Sequence, residues 1–202
     1  MHKFHQVSFP NDPVNYLCPN WDDMNHLAFA VSQQIKKQKT KFDRIVTLAK
    51  GGWPMTRSLV DFLKVPTVAS IGVKFYSGLS QRLDRPQIYQ DIPISVQGET
   101  VLLFDDVADT GESLIFTQDY LKTRGVKEIK TATLFYKPHS KLKPDFYGAE
   151  TAAWIVFPFE QFEMMALLNK KWSKNGVKSQ EIKQRFEEMK FSQDFIEACH
   201  AY

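Results

Sequence analysis

Apolar residues along this chain recur at two spacings, one typical of buried strands and the other of helices. Four short apolar runs predict strands, at 44–49, 67–73, 101–104 and 129–136. Before and between them, apolar residues recur every three or four positions, which predicts helices over about 21–39, 54–63 and 112–123. Strands that alternate with helices in this way indicate an α/β fold with an open, mainly parallel sheet flanked by helices.

Three segments fall outside this alternation. The first eighteen residues hold two prolines and are predicted to form an irregular arm. Residues 76–96 lack steady periodicity, which predicts a long flexible loop. Residues 161–202 return to helical spacing. The sequence therefore predicts a first domain over 1–160 and a C-terminal helical extension over 161–202.

Composition and charge narrow the classes of protein that fit. The chain has 202 residues, of which 43% are hydrophobic, enough for the core of one domain and an appendage. Its 26 basic residues are interspersed with 23 acidic ones, which argues against dedicated nucleic-acid binding. No apolar run approaches the roughly 20 residues of a membrane span, and the N-terminus lacks the apolar core of a signal peptide. Cys18 and Cys199 have no metal-ligand spacing. Together, these features predict a cytoplasmic protein without a membrane or nucleic-acid partner.

The most informative stretch is 101–113, which reads Val-Leu-Leu-Phe-Asp-Asp-Val-Ala-Asp-Thr-Gly-Glu-Ser. The strand ends on Asp105 and Asp106, and a short turn leads into a helix. The free backbone N–H groups at the start of that helix, with the hydroxyls of Thr110 and Ser113, suit a phosphate dianion. Paired carboxylates suit ribose hydroxyls and Mg²⁺, because they accept hydroxyl protons and are hard oxygen ligands. Helix capping is the simpler alternative, but it accounts for one acid and not for three.

Two further strand ends carry candidate chemistry. Lys50-Gly51-Gly52 follows the strand 44–49, and consecutive glycines let a ligand approach the main chain closely. The segment lacks the Gly-Lys-Ser/Thr ending of a nucleoside-triphosphate P-loop, and an ordinary turn is the alternative. Lys137 follows the strand 129–136 and precedes Pro138. A lysine held there can donate hydrogen bonds to a carbonyl oxygen, with a solvated surface lysine as the alternative.

These motifs resemble those of the type I phosphoribosyltransferases. The stretch 105–113 resembles their binding motif for phosphoribosyl pyrophosphate (PRPP), and Ala49-Lys50-Gly51-Gly52 resembles their pyrophosphate loop. The resemblance implies that Asp105 and Asp106 bind the ribose and Mg²⁺, directly or through water, and that Asp109 is catalytic and holds a proton of the base. It implies a 5′-phosphate site formed by Ala108, Asp109, Thr110, Gly111, Glu112 and Ser113. It implies a pyrophosphate site formed by Lys50, Gly51 and Gly52.

A second resemblance concerns the base. Lys137-Pro138 and, seventeen residues on, Trp154-Ile155 with Pro158 and Glu160 resemble the purine pocket of bacterial and archaeal xanthine-guanine and hypoxanthine phosphoribosyltransferases. It implies that Lys137 contacts the 6-oxo group, that Trp154 stacks on the ring and that backbone groups near Ile155 read the far edge. Glu160 is expected in this pocket, or else at the metal or pyrophosphate.

Mobile parts are also implied by the resemblance. Residues 76–96 are expected to close over the site and exclude water. Residues 137–160 and the N-terminal arm are expected to form a small hood. Three basic residues are candidates for contact with the diphosphate in the closed state, namely Lys74, Arg82 and Arg85.

Together these features predict a Mg²⁺-dependent enzyme of purine salvage that transfers the 5-phosphoribosyl group from PRPP to a 6-oxopurine and releases pyrophosphate. Hypoxanthine, guanine and xanthine all stay open, whereas adenine would place an amino group against the Lys137 donor. A homodimer or homotetramer is expected. The alternative is a regulatory protein of the same fold that senses PRPP or a nucleotide.

Overall fold

The computed structural model describes residues 3–77 and 82–200. Its strands are β1 (Gln6–Ser8), β2 (Asn15–Leu17), β3 (Arg44–Ala49), β4 (Val68–Ser77), β5 (Arg82–Gln90), β6 (Thr100–Ala108), β7 (Glu128–Tyr136), β8 (Phe146–Glu150) and β9 (Trp154–Ile155). Its helices are α1 (Trp21–Lys37), α2 (Trp53–Leu63), α3 (Glu112–Thr123), α4 (Gln161–Lys174), α5 (Ser179–Glu188) and α6 (Gln193–His200). Contacts divide the chain into two compact units, Met24–Ala152 and the two chain ends, up to Asp23 and from Ala153 onward.

The central unit, Met24–Ala152, is built on a six-stranded sheet with the order β5-β4-β3-β6-β7-β8. Five of these strands are parallel, and the edge strand β5 is antiparallel to β4. The four strands predicted from the sequence form the parallel centre β4-β3-β6-β7, so the predicted α/β fold is confirmed. Parallel strands end at the same edge of a sheet, and the segments that follow β3, β6 and β7 therefore lie close together.

Helices α2 and α3 cover opposite faces of this sheet. Val46 and Leu48 of β3 share an apolar cluster with Leu114 of α3. Thr47 lies between them in sequence, and its hydroxyl oxygen accepts a hydrogen bond from the Thr56 hydroxyl of α2, with the two oxygens 2.9 Å apart. Because successive side chains of a strand point to opposite faces, α2 lies across the sheet from α3.

The terminal unit has its own small sheet and core. Strand β2 pairs antiparallel with β1 and parallel with β9. A cluster of buried apolar residues joins this sheet to the three C-terminal helices and includes Tyr16, Val156, Trp172 and Phe186. This grouping differs from the boundary predicted at residue 160, because the two chain ends pair with each other in the sheet and share this core.

The structure differs from the sequence prediction in two segments. Arg82–Gln90 form β5, where an irregular loop over 76–96 is predicted, and residues 78–81 lie outside the described residues. Hydrogen bonds to β4 stabilise this strand despite Pro86, which an edge strand tolerates because one side of it needs no partner. The predicted irregular arm contains β1 and β2, which pair with each other, and β2 also pairs with β9, far away in sequence. No helix within the described ranges is both long and apolar enough to span a membrane.

Candidate active site

Strand β6 carries the acidic motif to the carboxyl edge of the central sheet. Its residues from Val101 to Phe104 are buried, whereas Asp105 and Asp106 are partly exposed as the strand leaves the core. The N–H of Asp106 donates to Asp105 Oδ1 at 3.0 Å, and the N–H of Val107 donates to Asp106 Oδ1 at 2.7 Å. These bonds fix both carboxyl groups through the backbone, and each group keeps a second oxygen that they do not use.

The two acids are electrostatically suited to a cation. Burial and, after it, the charge of Asp106 raise the pKa of Asp105 well above its usual value. Burial raises the pKa of Asp106 to about 6, although the N–H of Val107 opposes this shift. Two adjacent carboxyl groups whose charges repel each other favour a nearby positive charge. No cluster of three or more His, Cys, Asp or Glu side chains that could hold a metal occurs in the described part of the chain.

A cavity of about 210 Å³ opens beside this end of β6. One continuous stretch supplies most of its lining, which consists of Asp105, Asp106, Val107, Ala108, Asp109, Thr110, Gly111, Ser113 and Leu114. At the start of α3, Gly111 has a φ of 80°, and a Cβ atom there would lie 2.6 Å from Ser140 Oγ. A side chain therefore has no room at this position. The turn brings the hydroxyls of Thr110 and Ser113 and the N-terminus of α3 to one cavity.

The glycine segment after β3 lies against the acid pair. Strands β3 and β6 are neighbours, with Thr47 opposite Phe104, so the segments that follow them meet at the same edge. A Cβ atom on Gly51 would lie 2.3 Å from Asp106 Oδ2, which is too close for any side chain. The Ala49–Lys50 peptide bond is cis. The structure thus brings Gly51 into contact with Asp106, with Lys50 before it and Gly52 after it.

Residues 137–141 run alongside the turn that lines the cavity. The N–H of Lys137 donates to Ala108 O at 3.0 Å, and the N–H of Lys141 donates to Thr110 O at 2.9 Å. The Lys137 side chain is buried, which lowers the pKa of its ammonium group, and the charge of Asp109 opposes this shift. Lys137 and Asp109 are therefore brought together, as two members of the predicted site.

The other predicted site residues lie on other elements of the chain. Trp154, Ile155 and Glu160 belong to the terminal unit, where Trp154 is exposed, Ile155 is buried in β9 and Glu160 precedes α4. Their roles stay predictions. Lys74 lies on β4, with its Nζ 5.5 Å from the centre of the Tyr89 ring. The side chains of Arg82 and Arg85 lie outside the described residues.

Two residues that follow Pro138 also lie at the site and were not predicted from the sequence. His139 contacts Asp109, with 3.2 Å between Nε2 and Oδ1, and Ser140 fills the space beside Gly111. Proline favours the second position of a β-turn, so Pro138 was a local signal that the chain reverses here. The partner of the turn could not be inferred, because Asp109 is thirty residues away in sequence.

Comparison with known proteins relates this site to one family. The family model of the phosphoribosyl transferase domain matches residues 21–162. The hypoxanthine-guanine phosphoribosyltransferase of Streptococcus thermophilus is 27% identical over 114 residues, which are 55% of this chain and 63% of that enzyme. The match therefore spans less than two thirds of this relative's length.

Solved structures agree with this relation. The purine phosphoribosyltransferase of Pyrococcus horikoshii is 33% identical and superposes with a TM-score of 0.64, covering 71% of this chain and 91% of that one. A hypothetical protein of Neisseria gonorrhoeae with bound ppGpp is 22% identical and shares the fold, with a TM-score of 0.65 over 72% of this chain and 89% of that one. Because the family model covers more than half of the sequence, this chain belongs to the phosphoribosyltransferase family.

Proposed function

We propose that this protein transfers the 5-phosphoribosyl group from PRPP to a nitrogen of a 6-oxopurine and releases pyrophosphate. The observation that carries the proposal is the contact of Gly51 with Asp106 beside the cavity lined by residues 105–111. It joins a glycine segment, an acid pair and a phosphate-type turn at one edge of the sheet. These three parts match the three parts of PRPP, namely the diphosphate, the ribose and the 5′-phosphate.

The 5′-phosphate would bind in the turn that precedes α3. There the first N–H groups of a twelve-residue helix lack intrahelical partners, and their partial positive charge favours a dianion. Thr110 and Ser113 add hydroxyl donors at the same cavity. The sharp turn at Gly111, where no side chain projects, would let the phosphate approach the backbone closely.

The acid pair would hold the ribose and a magnesium ion. Two carboxylates with raised pKa values fit a hard divalent cation, which Mg²⁺-binding sites commonly complete with substrate oxygens and water. When bound, Mg²⁺ would supply positive charge near the departing diphosphate. Asp105 and Asp106 would also accept hydrogen bonds from the ribose hydroxyls and so fix the sugar.

The departing diphosphate and the incoming base would lie on opposite sides of the ribose. Backbone groups of Gly51 and Gly52, with the exposed Lys50, would bind the diphosphate as negative charge develops on it. Asp109 would accept or hold a proton of the purine as the new bond forms, a contribution of about 10²–10⁴ in rate.

Selection of the base would depend on Lys137. This ammonium group is buried, has three donors and no acceptor, and therefore pairs with the 6-oxo group of hypoxanthine, guanine or xanthine. By resemblance to the purine pocket of the family, Trp154, Ile155 and Glu160 are the further candidates for contact with the base, Trp154 by stacking on the ring. A homo-oligomeric assembly and a cytoplasmic location belong to the same proposal.

The test is pyrophosphate release from PRPP and Mg²⁺ with a panel of hypoxanthine, guanine, xanthine, adenine and orotate. We expect release with at least one 6-oxopurine and a loss of about 10²-fold or more in kcat for Asp109→Asn. Absence of release with every base would overturn the proposal.

A second candidate is a regulatory protein that binds PRPP or a nucleotide without turnover. The ppGpp bound to the Neisseria gonorrhoeae protein of the same fold favours this alternative. Calorimetric binding of PRPP or ppGpp, combined with turnover no faster than the uncatalysed reaction, would support it. The buried Lys137 and the acidic Asp109 beside it favour the enzyme, because ligand sensing needs no proton acceptor next to the base.

A further inference from the structure

His139 lies in a β-turn that is closed by a backbone hydrogen bond. The N–H of Ser140 donates to Lys137 O at 3.0 Å, which closes a four-residue β-turn. Pro138 holds the second position, where its fixed φ suits the turn, and His139 holds the third. The backbone of His139 is therefore ordered by its own neighbours before any ligand binds.

The same turn is fastened to the loop that lines the cavity. The N–H of Lys137 bonds to Ala108 O on one side of His139, and the N–H of Lys141 bonds to Thr110 O on the other. Ser140 Oγ occupies the space that a side chain on Gly111 would need. These anchors on both sides fix the backbone of His139 relative to residues 108–111.

The ring of His139 reaches the carboxylate of Asp109. The distance from Nε2 to Oδ1 is 3.2 Å, which makes a hydrogen bond when Nε2 carries the proton. Both side chains are 60% exposed, so the contact faces the open side of the loop rather than the core. An exposed pair of this kind adds little to stability, and its effect would be on the direction of the carboxylate.

We propose that His139 is a positioning residue that holds Oδ1 of Asp109 and thereby directs the other carboxylate oxygen, Oδ2, toward the purine. The inference rests on the proposed function, since it gives Asp109 a partner during phosphoribosyl transfer. A carboxylate with one oxygen held has fewer rotamers to lose when the base binds. His139 itself does not touch the reacting atoms, and the proton still moves between the base and Asp109.

The experiment is a double-mutant cycle on kcat and KM for the best base. His139→Ala should lower kcat about fivefold with little change in KM for the base, because orientation of Asp109 matters most in the transition state. His139→Gln, whose Nε2 can donate at similar reach, should restore most of kcat. In the Asp109→Asn background, His139→Ala should change kcat by less than about twofold. His139 acts only through the Asp109 carboxylate, which that background lacks.

A matched control is Lys122→Ala, which removes an equally exposed ion pair from α3, with 2.9 Å between Lys122 Nζ and Asp119 Oδ1. It should leave kcat unchanged. An additive loss in the Asp109→Asn background, or a loss confined to KM, would overturn the role of His139 while leaving the proposed function intact. Failure of the unmodified protein to release pyrophosphate would overturn both.

Discussion

At the scale of single residues, the site depends on a few close approaches that restrict what each position can hold. Gly51 touches Asp106, and Lys137 is buried near Asp109. Neither contact follows from residue type alone, because a Gly-Gly pair and a surface lysine are common in any sequence. Both follow from the parallel sheet, which brings the ends of β3, β6 and β7 to one edge.

Gly51→Ala is expected to reduce activity while the fold survives. The added methyl group would meet Asp106 Oδ2 at 2.3 Å, so either the glycine segment or the acid has to move. A displacement of this size commonly costs about 100-fold in rate. Steady-state pyrophosphate release measures activity, and a thermal melt measures stability. The control is Lys64→Ala, a substitution of the exposed residue that follows the end of α2. Wild-type kcat in Gly51→Ala would show that the contact has no functional importance.

Lys137→Met should weaken the choice between purines more than it weakens folding. Methionine keeps the apolar stem in a buried position and removes the three donors, so the 6-oxo group loses its partner. The preference for the best 6-oxopurine over adenine should fall by about 100-fold or more in kcat/KM. A competition assay with all five bases measures it. An unchanged preference, or adenine or orotate as the best substrate of the unmodified protein, would mean that Lys137 does not read position 6.

At the scale of elements, local signals fixed most boundaries and long-range pairing decided the others. Helix α3 runs over Glu112–Thr123 and β3 over Arg44–Ala49, as their apolar spacing predicts. Strand β5 was missed because its sequence contains Pro86 and several charges, and it is a strand only through pairing with β4. Strands β1 and β2 were missed for the same reason, since they are strands through pairing with each other and, for β2, with the distant β9.

The start of α1 offers a test of one such local signal. Asn20 Oδ1 accepts from the N–H of Asp23 at 2.9 Å, and Asp23 Oδ2 accepts from the N–H of Asn20 at 2.8 Å. This reciprocal pair is a capping box with Asp in the fourth position. Asn20→Ala should lower the free energy of unfolding by about 1 kcal/mol, and Asn20→Ser by only a few tenths, in urea denaturation. Equal stability of the two variants would contradict the capping role.

The residues of the candidate site likewise include some that a local sequence signal indicates and others that depend on distant contacts. The acid pair, the turn at Thr110 and Gly111 and the glycine segment each lie just after a predicted strand, so the sequence indicates them without knowledge of the fold. The contact of His139 with Asp109 and the cis peptide bond at Ala49–Lys50 have no such local signature. They depend on the register between β6 and β7 and on backbone geometry that residue types do not encode.

At the scale of the whole molecule, the terminal unit is held by a buried polar centre. Asp12 is almost fully buried and accepts hydrogen bonds from Trp172 Nε1 at 2.6 Å and from Tyr16 Oη at 2.8 Å. Lys171 Nζ lies 2.8 Å from Asp12 Oδ1. The Arg185 guanidinium lies over the rings of Phe9 and Trp172 nearby. One carboxylate therefore links the N-terminal arm to helix α4.

This centre predicts a loss of stability in acid. Burial alone would raise the pKa of Asp12, but hydrogen bonds from Lys171 and Trp172 outweigh it and lower the pKa to about 2. A folded pKa below the unfolded value of about 3.9 stabilises the fold by roughly 2 kcal/mol above pH 4, and this contribution disappears as the pH falls through 2.

Urea denaturation between pH 5 and pH 3 measures the effect. The unmodified protein should lose about 1 kcal/mol more than Asp12→Asn over this range, because about half of the contribution is gone at pH 3. Asp119→Asn, which removes an exposed acid from α3, should behave like the unmodified protein. Parallel pH profiles for the unmodified protein and Asp12→Asn would contradict the role given to the buried carboxylate.

The most direct test of the central claim is to identify the product of one reaction. Hypoxanthine, guanine and xanthine are each incubated with PRPP, Mg²⁺ and the protein. The products are separated by chromatography and identified by mass spectrometry. Phosphoribosyl transfer predicts the corresponding nucleoside 5′-monophosphate and pyrophosphate in equal amounts from at least one of the three bases, and product formation about 100-fold slower with Asp109→Asn. Unchanged PRPP, or PRPP hydrolysed to ribose 5-phosphate without any nucleotide, would contradict it.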